Sequence, residues 1–331
     1  MSRKTIIHII FGIMGVAIGW GAAYFFWMDR IREGEPFKEL RAGGFTLINP
    51  LLECQTGERE QRQELAVFKQ IIQEEVERNK NQDVWHISVY FRDLNNGPWF
   101  GIDEQEKFAP ASLLKVPVML AAFKEEEKDS NFFEKKVPYT ADPSADNQNI
   151  RTGTPLLSGN TYSTYQLMEQ MIQNSDNQAL NALSGALQEG AFERVMDDFG
   201  IPMATSATAD FLGVHRYAGF FRILFNASYL SRAASEEALS ILSKSAYQDG
   251  LVAGLPPGMT VAHKFGERTL MKGNTLLGRQ LHDCGIVYYP KRPYLLCVMT
   301  RGNSYSKLSR VIRDLSEAVY REVDAQLSQG R

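Results

Sequence analysis

Ser112 and Lys115 are the residues whose types and spacing most directly offer chemistry. They lie in the run Phe108-Ala-Pro-Ala-Ser-Leu-Leu-Lys-Val-Pro-Val-Met-Leu-Ala-Ala-Phe123. Pro110 ahead of an apolar stretch suits the opening of a helix, because its missing N–H is no loss there and its φ is already helical. Ser112 then falls in the first turn, and Lys115, three residues on, shares its face and reaches the serine oxygen. A lysine whose pKa is lowered by partial burial or by a second cation takes the hydroxyl proton and activates a weak nucleophile without histidine. Unpaired N–H groups at the helix start favour the negative charge that develops during attack. Spacing alone carries little, since a second Ser-x-x-Lys runs from Ser304 to Lys307. About one such match is expected by chance in a chain of this length. A helix cap with a solvated lysine explains an isolated match equally well.

Two later stretches change that weighting. Ser175-Asp176-Asn177 sits in a polar break between two apolar-periodic segments, and His263-Lys264-Phe265-Gly266-Glu267 follows a strand beginning near Met259. Ser-x-x-Lys, then Ser-Asp-Asn, then Lys-Thr-Gly is a set shared by the class A β-lactamases and the penicillin-binding proteins. Here the third member reads Lys-Phe-Gly. From about Leu94 to the C-terminus the chain resembles the class A β-lactamase family, including the turn Leu94-Asn95-Asn96-Gly97 and the closing hairpin and helix.

The resemblance implies a role for each residue. Ser112 is the acylated nucleophile and Lys115 its general base. Ser175, held by Lys264, relays a proton to the leaving amine, and Asn177 binds the substrate's amide carbonyl. Asp176 orients the loop. The oxyanion is held by the backbone N–H groups of Ser112 and Glu267, and Gly266 admits substrate close to the strand edge. The implied substrate is a β-lactam or a D-Ala-D-Ala-like cell-wall peptide. Two departures stand out. Family members carry a hydroxyl residue at the position of Phe265, where it helps hold the substrate carboxylate; Arg268 is the substitute considered for that contact. The family's deacylating Glu-x-x-Leu-Asn string is missing between Asn177 and Lys264. Slow deacylation is the expectation, since no positioned base activates water. A non-catalytic module that binds peptidoglycan or a partner on the same fold is the alternative.

The elements that must position these residues follow from the rest of the chain. Its 331 residues carry 44% apolar and 23% charged residues, an ordinary globular balance. The net charge of -3 and the lack of a basic stripe give no reason to expect nucleic acid. Five histidines and three cysteines form no ligand array, so neither metal nor cofactor is expected. Cys284 and Cys297 fall on neighbouring strands with Cys54 able to reach either; buried thiols are the favoured reading over a disulfide.

Thr5 to Trp27 is almost wholly apolar. At helical rise it reaches about 34 Å, enough for a hydrocarbon core of about 30 Å. An uncleaved single-pass anchor is preferred over a cleavable signal, because apolar aromatics continue past Gly21-Ala22-Ala23. Positive charges flank both ends, so placing the bulk of the chain outside the cell membrane rests on the resemblance. The organisation expected is an anchor over 1–28, a juxtamembrane linker over 29–56 whose Phe45–Cys54 docks on the domain, and a hydrolase domain over 57–331.

Apolar spacing predicts a helix from Glu58 to Asn79 and a hairpin from Trp85–Asp93 to Trp99–Ile102. It predicts helices at Ser163–Gln173, Gln178–Leu187, Ala191–Phe199 and Val214–Phe225, and one starting at Ser235. Strands follow at Thr260–Phe265, Cys284–Tyr289 and Tyr294–Thr300, before a final helix bearing Leu308, Val311, Ile312, Leu315 and Val319. Strands at both ends of a helical middle imply an α+β fold, an antiparallel sheet flanked by the terminal helices with an inserted all-α lobe. The resemblance implies that this fold is β-lactamase-like, and the apolar stretch adds one preceding transmembrane helix.

Overall fold

A computed structural model describes residues 38–55, 60–95, 97–141, 148–203 and 209–328. The apolar stretch Thr5–Trp27 lies outside these residues. Among the described residues no helix is long and apolar enough to cross a membrane.

In chain order the elements are β1 (Lys38–Arg41), β2 (Leu51–Gln55), α1 (Glu60–Asn79), β3 (Val84–Asp93) and β4 (Trp99–Ile102). A 3-10 turn, Ala111–Leu114, leads into α2 (Lys115–Lys128). The helical middle holds β5 (Lys136–Pro138), β6 (Thr161–Ser163), α3 (Thr164–Gln173), α4 (Asn177–Ser184), α5 (Ala191–Asp198), α6 (Val214–Phe225) and α7 (Arg232–Ser243). The chain returns to strand as β7 (Val261–Lys272), β8 (Thr275–Val287) and β9 (Tyr294–Gly302), then closes with α8 (Tyr305–Ser328).

The main sheet runs β4-β3-β9-β8-β7 and is antiparallel throughout. Period-two alternation divides its side chains between two cores. On one face Ile87, Val89, Phe91, Leu296 and Val298 meet Phe68, Ile72 and Val76 of α1 and Leu308, Ile312, Leu315 and Val319 of α8. On the other, Tyr90, Ile286, Leu295 and Met299 join the core of the helical lobe, centred on Val116, Met119, Leu120 and Phe123 of α2. From Val116 to Phe123 α2 is buried on every side, which is why that stretch is apolar all round rather than striped, while its last turn is charged.

The segment Phe45–Cys54 docks on the rest of the fold through residues 46–49. The backbone N–H groups of Thr46, Leu47 and Ile48 donate to the Glu236 carboxylate at 2.9 to 3.1 Å. Asn49 N donates to Phe225 O at 2.8 Å, and Ile48 is buried in the lobe's core.

Three expectations need correction. The hairpin strands are longer than apolar spacing indicated: β7 continues to Lys272 and β8 begins at Thr275, in register from Val261↔Val287 to Lys272↔Thr275. Beyond Gly266 the β7 residues are half-buried and then exposed, and β8 opens on exposed residues, so neither stretch alternates in a way that can be read; backbone pairing and a turn with Gly273 at φ +59 hold them. α7 starts at Arg232, because Ser231 accepts from Ala234 N and caps the helix, while Ser235 is buried inside it. Cys284 and Cys297 form a disulfide rather than a pair of thiols. They are directly opposed in the β8–β9 register, a relation that spacing along the chain does not disclose. The side chain of Cys54 is outside the described set.

Candidate active site

Ser112 sits in the 3-10 turn just before α2 rather than in the helix itself, and Pro110 precedes that turn. Three side chains remote in sequence brace the turn. Gln280 Oε1 accepts from Ala109 N at 2.9 Å, the Tyr217 hydroxyl donates to Leu113 O at 3.0 Å, and His282 Nε2 lies 3.2 Å from Ala109 O. His282 Nδ1 accepts from Thr300 N at 3.3 Å, so the ring is the neutral tautomer with its proton on Nε2. Burial pushes its pKa down to about 3 and keeps it so.

Lys115, buried at the start of α2, points its amine into a ring of oxygens. Nζ lies 3.0 Å from Ser112 Oγ, 3.2 Å from Ser175 Oγ and 2.7 Å from Asn177 Oδ1, and it donates to Ser175 O. Ser175 stands between α3 and α4 with φ +56, and Ala111, beside the nucleophile, has φ +49. A left-handed conformation at a non-glycine residue costs on the order of 1–3 kcal/mol and persists only where the surroundings over-determine it. At Ser175 the neighbouring Asp176 supplies that determination: it caps α4 through Gln178 N at 2.7 Å and Ala179 N at 3.0 Å, and accepts from the Tyr139 hydroxyl. Asp176 therefore orients the loop, and Asn177 becomes the first residue of α4.

The opposite wall is β7, the edge strand. Lys264 Nζ donates to Ser175 Oγ at 2.9 Å and to Phe265 O at 3.0 Å. Two buried lysines thus share one hydroxyl. Burial first, and then the Lys115 charge, hold the Lys264 pKa well below the ordinary lysine range, with Asp283 opposing. Gly266 is needed for contact: a Cβ there would fall 2.8 Å from Pro110 O and 3.0 Å from Leu113 N, against the turn that carries Ser112. Arg268, two residues beyond, shares the strand face of Lys264 and Gly266 and is half-buried. Phe265 stacks on Tyr247 at 4.1 Å, and its ring lies 4.4 Å from Lys264 Nζ. An aromatic face is thereby set beside the cation.

The fold thus brings Ser112, Lys115, Ser175, Asn177 and Lys264 into direct contact and seats Gly266 behind them. Glu267 turns its carboxylate to Asn149 and Ile150. Gln148, His282, Gln280 and Tyr217 were not singled out in the sequence. No motif signals them, because each acts through a partner distant in the chain. Behind β7, His263 Nδ1 lies 2.8 Å from Asp283 Oδ1, both fully buried, and Asp283 Oδ2 also accepts from Leu251 N. The second Ser-x-x-Lys is a surface feature, with Lys307 paired to Asp83 and Ser304 bonded to Ser306.

Residues 67–323 match the sequence model of the beta-lactamase enzyme family. No curated protein gives a significant match in a sequence search. The structure of PBP-A is similar, at 21% identity and a TM-score of 0.64, with 77% of this chain and 96% of that one covered. A PBP-A variant in acyl-enzyme complex with penicillin G is 22% identical, with a TM-score of 0.66 over 79% and 97% of the two chains. A beta-lactamase from Chitinophaga pinensis is 18% identical, with a TM-score of 0.66 over 78% and 99%. At these identities the structural likeness establishes the fold, while the sequence match spans most of the chain. The chain belongs to the beta-lactamase enzyme family, as a β-lactamase-like serine hydrolase.

Proposed function

We propose that Ser112 is acylated by a β-lactam or a D-Ala-D-Ala-like cell-wall peptide, and that the acyl-serine deacylates slowly. The observation that carries this reading is the shared contact of Lys115 with Ser112 Oγ and Ser175 Oγ, with Lys264 on the far side of Ser175. Ser112 Oγ attacks the carbonyl carbon as its proton passes to Lys115 Nζ. The backbone N–H groups of Ser112 and Glu267 hold the oxyanion. When the carbon–nitrogen bond breaks, Ser175 delivers a proton to the departing amine, and Lys264 orients that hydroxyl. Asn177 takes the substrate amide carbonyl, and Arg268 takes the carboxylate that a hydroxyl at position 265 would otherwise hold. Slow deacylation is supported by the missing Glu-x-x-Leu-Asn string. A relative of the same fold, PBP-A, is known as an acyl-enzyme with penicillin G.

The same reading places the chain at the cell membrane, held by residues 5–27 within an anchor over 1–28. A linker over 29–56 connects it to an extracytoplasmic domain over 57–331. The length and apolarity of the N-terminal stretch support the anchor.

The test is intact mass over time for the full chain in detergent mixed with penicillin, beside Ser112→Ala. A lasting adduct on the parent alone is expected. An adduct that forms and clears quickly overturns the slow step and indicates β-lactamase turnover, whereas no adduct favours the non-catalytic binding module.

A further inference from the structure

The segment 148–152 grips both walls of the cleft. On the Ser175 side, Gln148 Nε2 donates to Ser175 O, and Thr152 Oγ1 donates to Asn174 O at 2.9 Å. On the β7 side, the Glu267 carboxylate accepts from Asn149 N at 2.5 Å, Ile150 N at 3.2 Å and Asn149 Nδ2 at 2.9 Å. Thr269, two residues along the same strand face, is 3.5 Å from Asn149 Oδ1 and 2.9 Å from the Tyr305 hydroxyl, which anchors that cluster to α8. Ile150 packs on the core beneath the sheet. One carboxylate taking three donors from two consecutive residues is a charge-assisted clamp, and it fixes backbone rather than a loose side chain.

The position of that clamp matters. Gly266 lies against the turn of Ser112, so the next residue, Glu267, marks where an acyl group bound along the β7 edge must pass. Segment 148–152 is tied across from that point to the carbonyl of Ser175. A substituent extending from the reacting carbonyl toward this end meets a strap held at both sides, while one with no such substituent does not.

We propose that the Glu267 side chain is a specificity-determining residue: by clamping Asn149 and Ile150 it holds the strap of residues 148–152 across one end of the cleft and limits the size of the acyl group that reaches Ser112. This rests on the acylation of Ser112 proposed above. The backbone N–H of Glu267 is a separate matter and survives any side-chain substitution. The strap excludes by bulk, so its release changes the ratio of rates for large and small substrates. A change common to both substrates, such as a shifted oxyanion contact, cancels in that ratio.

The experiment uses the full chain in detergent and its Glu267→Ala and Glu267→Gln variants. Amide hydrogen exchange at Asn149 and Ile150 reads the clamp directly, whatever the chemistry at Ser112. Acylation rates with benzylpenicillin and with 6-aminopenicillanic acid, which lacks the acyl side chain, read the specificity. Glu267→Ala is expected to speed exchange at the two amides and to raise the benzylpenicillin-to-6-aminopenicillanic-acid ratio by about tenfold. Glu267→Gln, which keeps an acceptor oxygen, should fall between parent and Glu267→Ala. Unchanged exchange overturns the clamp; faster exchange with an unchanged ratio overturns its role in specificity. If no form is acylated by either compound, the acyl-serine reading fails and the specificity role with it, while the exchange data still decide the clamp.

Discussion

The chain contains the same four-residue pattern twice, and the two copies have opposite fates. Ser112-x-x-Lys115 ends in a buried amine surrounded by Ser112, Ser175 and Asn177 oxygens. Ser304-x-x-Lys307 ends in an amine half exposed to water and paired with Asp83 on the surface. Local helical geometry is available to both, so spacing does not separate them. The difference is supplied by neighbours. The first lysine is covered by the Ser175 loop and faced by a second buried lysine, Lys264, while the second lysine has solvent on one side. Burial and converging partners distinguish one copy of a common pattern from the other.

The largest effect expected from this contrast is on acylation. Ser112→Ala should abolish the penicillin adduct, and Lys115→Met should slow its formation by about 10²–10⁴-fold, whereas Ser304→Ala and Lys307→Met should match the parent. Intact mass spectrometry decides it, and an adduct on the Ser112→Ala chain would break the comparison.

A second test concerns the paired lysines. The folded pKa of Lys264 lies well below its unfolded value, so the unfolded chain binds the extra proton throughout the window between them. Stability therefore rises as pH rises through that window. Lys264→Met should flatten the rise seen by denaturant unfolding at alkaline pH. Lys307→Met should leave it unchanged, and equal slopes for parent and Lys264→Met would refute the lowered pKa of the buried lysine.

His282 provides a third. Its pKa falls from 6.5 to about 3, so the unfolded chain takes up a proton in that interval and the folded one does not. Stability is fully present above about pH 6.5 and is lost as pH falls toward 3, at roughly 1.4 kcal/mol per unit at most for one proton. His282→Asn should remove this one-proton slope and also slow acylation, because the ring braces Ala109 beside the nucleophile. A parent and variant with the same acid slope would show that His282 is protonated in the fold.

The smallest effect expected is at the disulfide. Cys284 and Cys297 are 13 residues apart, a short loop for which the chain-entropy model gives about 3 kcal/mol. Reduction, or Cys284→Ala with Cys297→Ala, should lower the melting temperature by several degrees and leave acylation intact. The bridge lies on the lobe-facing side of the sheet, in the core rather than among the reactive groups. A loss of acylation as large as that of Lys115→Met would tie it to the site.

Much of this molecule was legible in its sequence. The stripe Phe68, Ile72 and Val76 and the series Leu308, Ile312, Leu315 and Val319 place α1 and α8 on one sheet face, because a helix with an apolar stripe must bury it. The order of Ser112, Lys115, Ser175, Asn177 and Lys264 picked out polar groups that the fold brings into contact, because three motifs in sequence carry more than any single spacing. The outer halves of β7 and β8 were not legible: Glu267 to Leu270 are half-buried without alternation and Met271 to Leu277 are exposed, so backbone pairing defines them. Pairing of Cys284 with Cys297 depends on register, and register is a relation between strands.

The sequence by itself thus determined the helices, the inner strands and the types of group available for chemistry, because these depend on periodicities and capping residues within a few positions of one another. Only the tertiary structure decided which lysine is buried against Ser112 and Ser175, that Gln280, His282 and Tyr217 brace the turn of Ser112, and that Glu267 faces Asn149 and Ile150. Each is a contact between segments far apart in the chain. Closing such distances is achieved by the cooperative burial of two cores, which no single stretch of residues encodes.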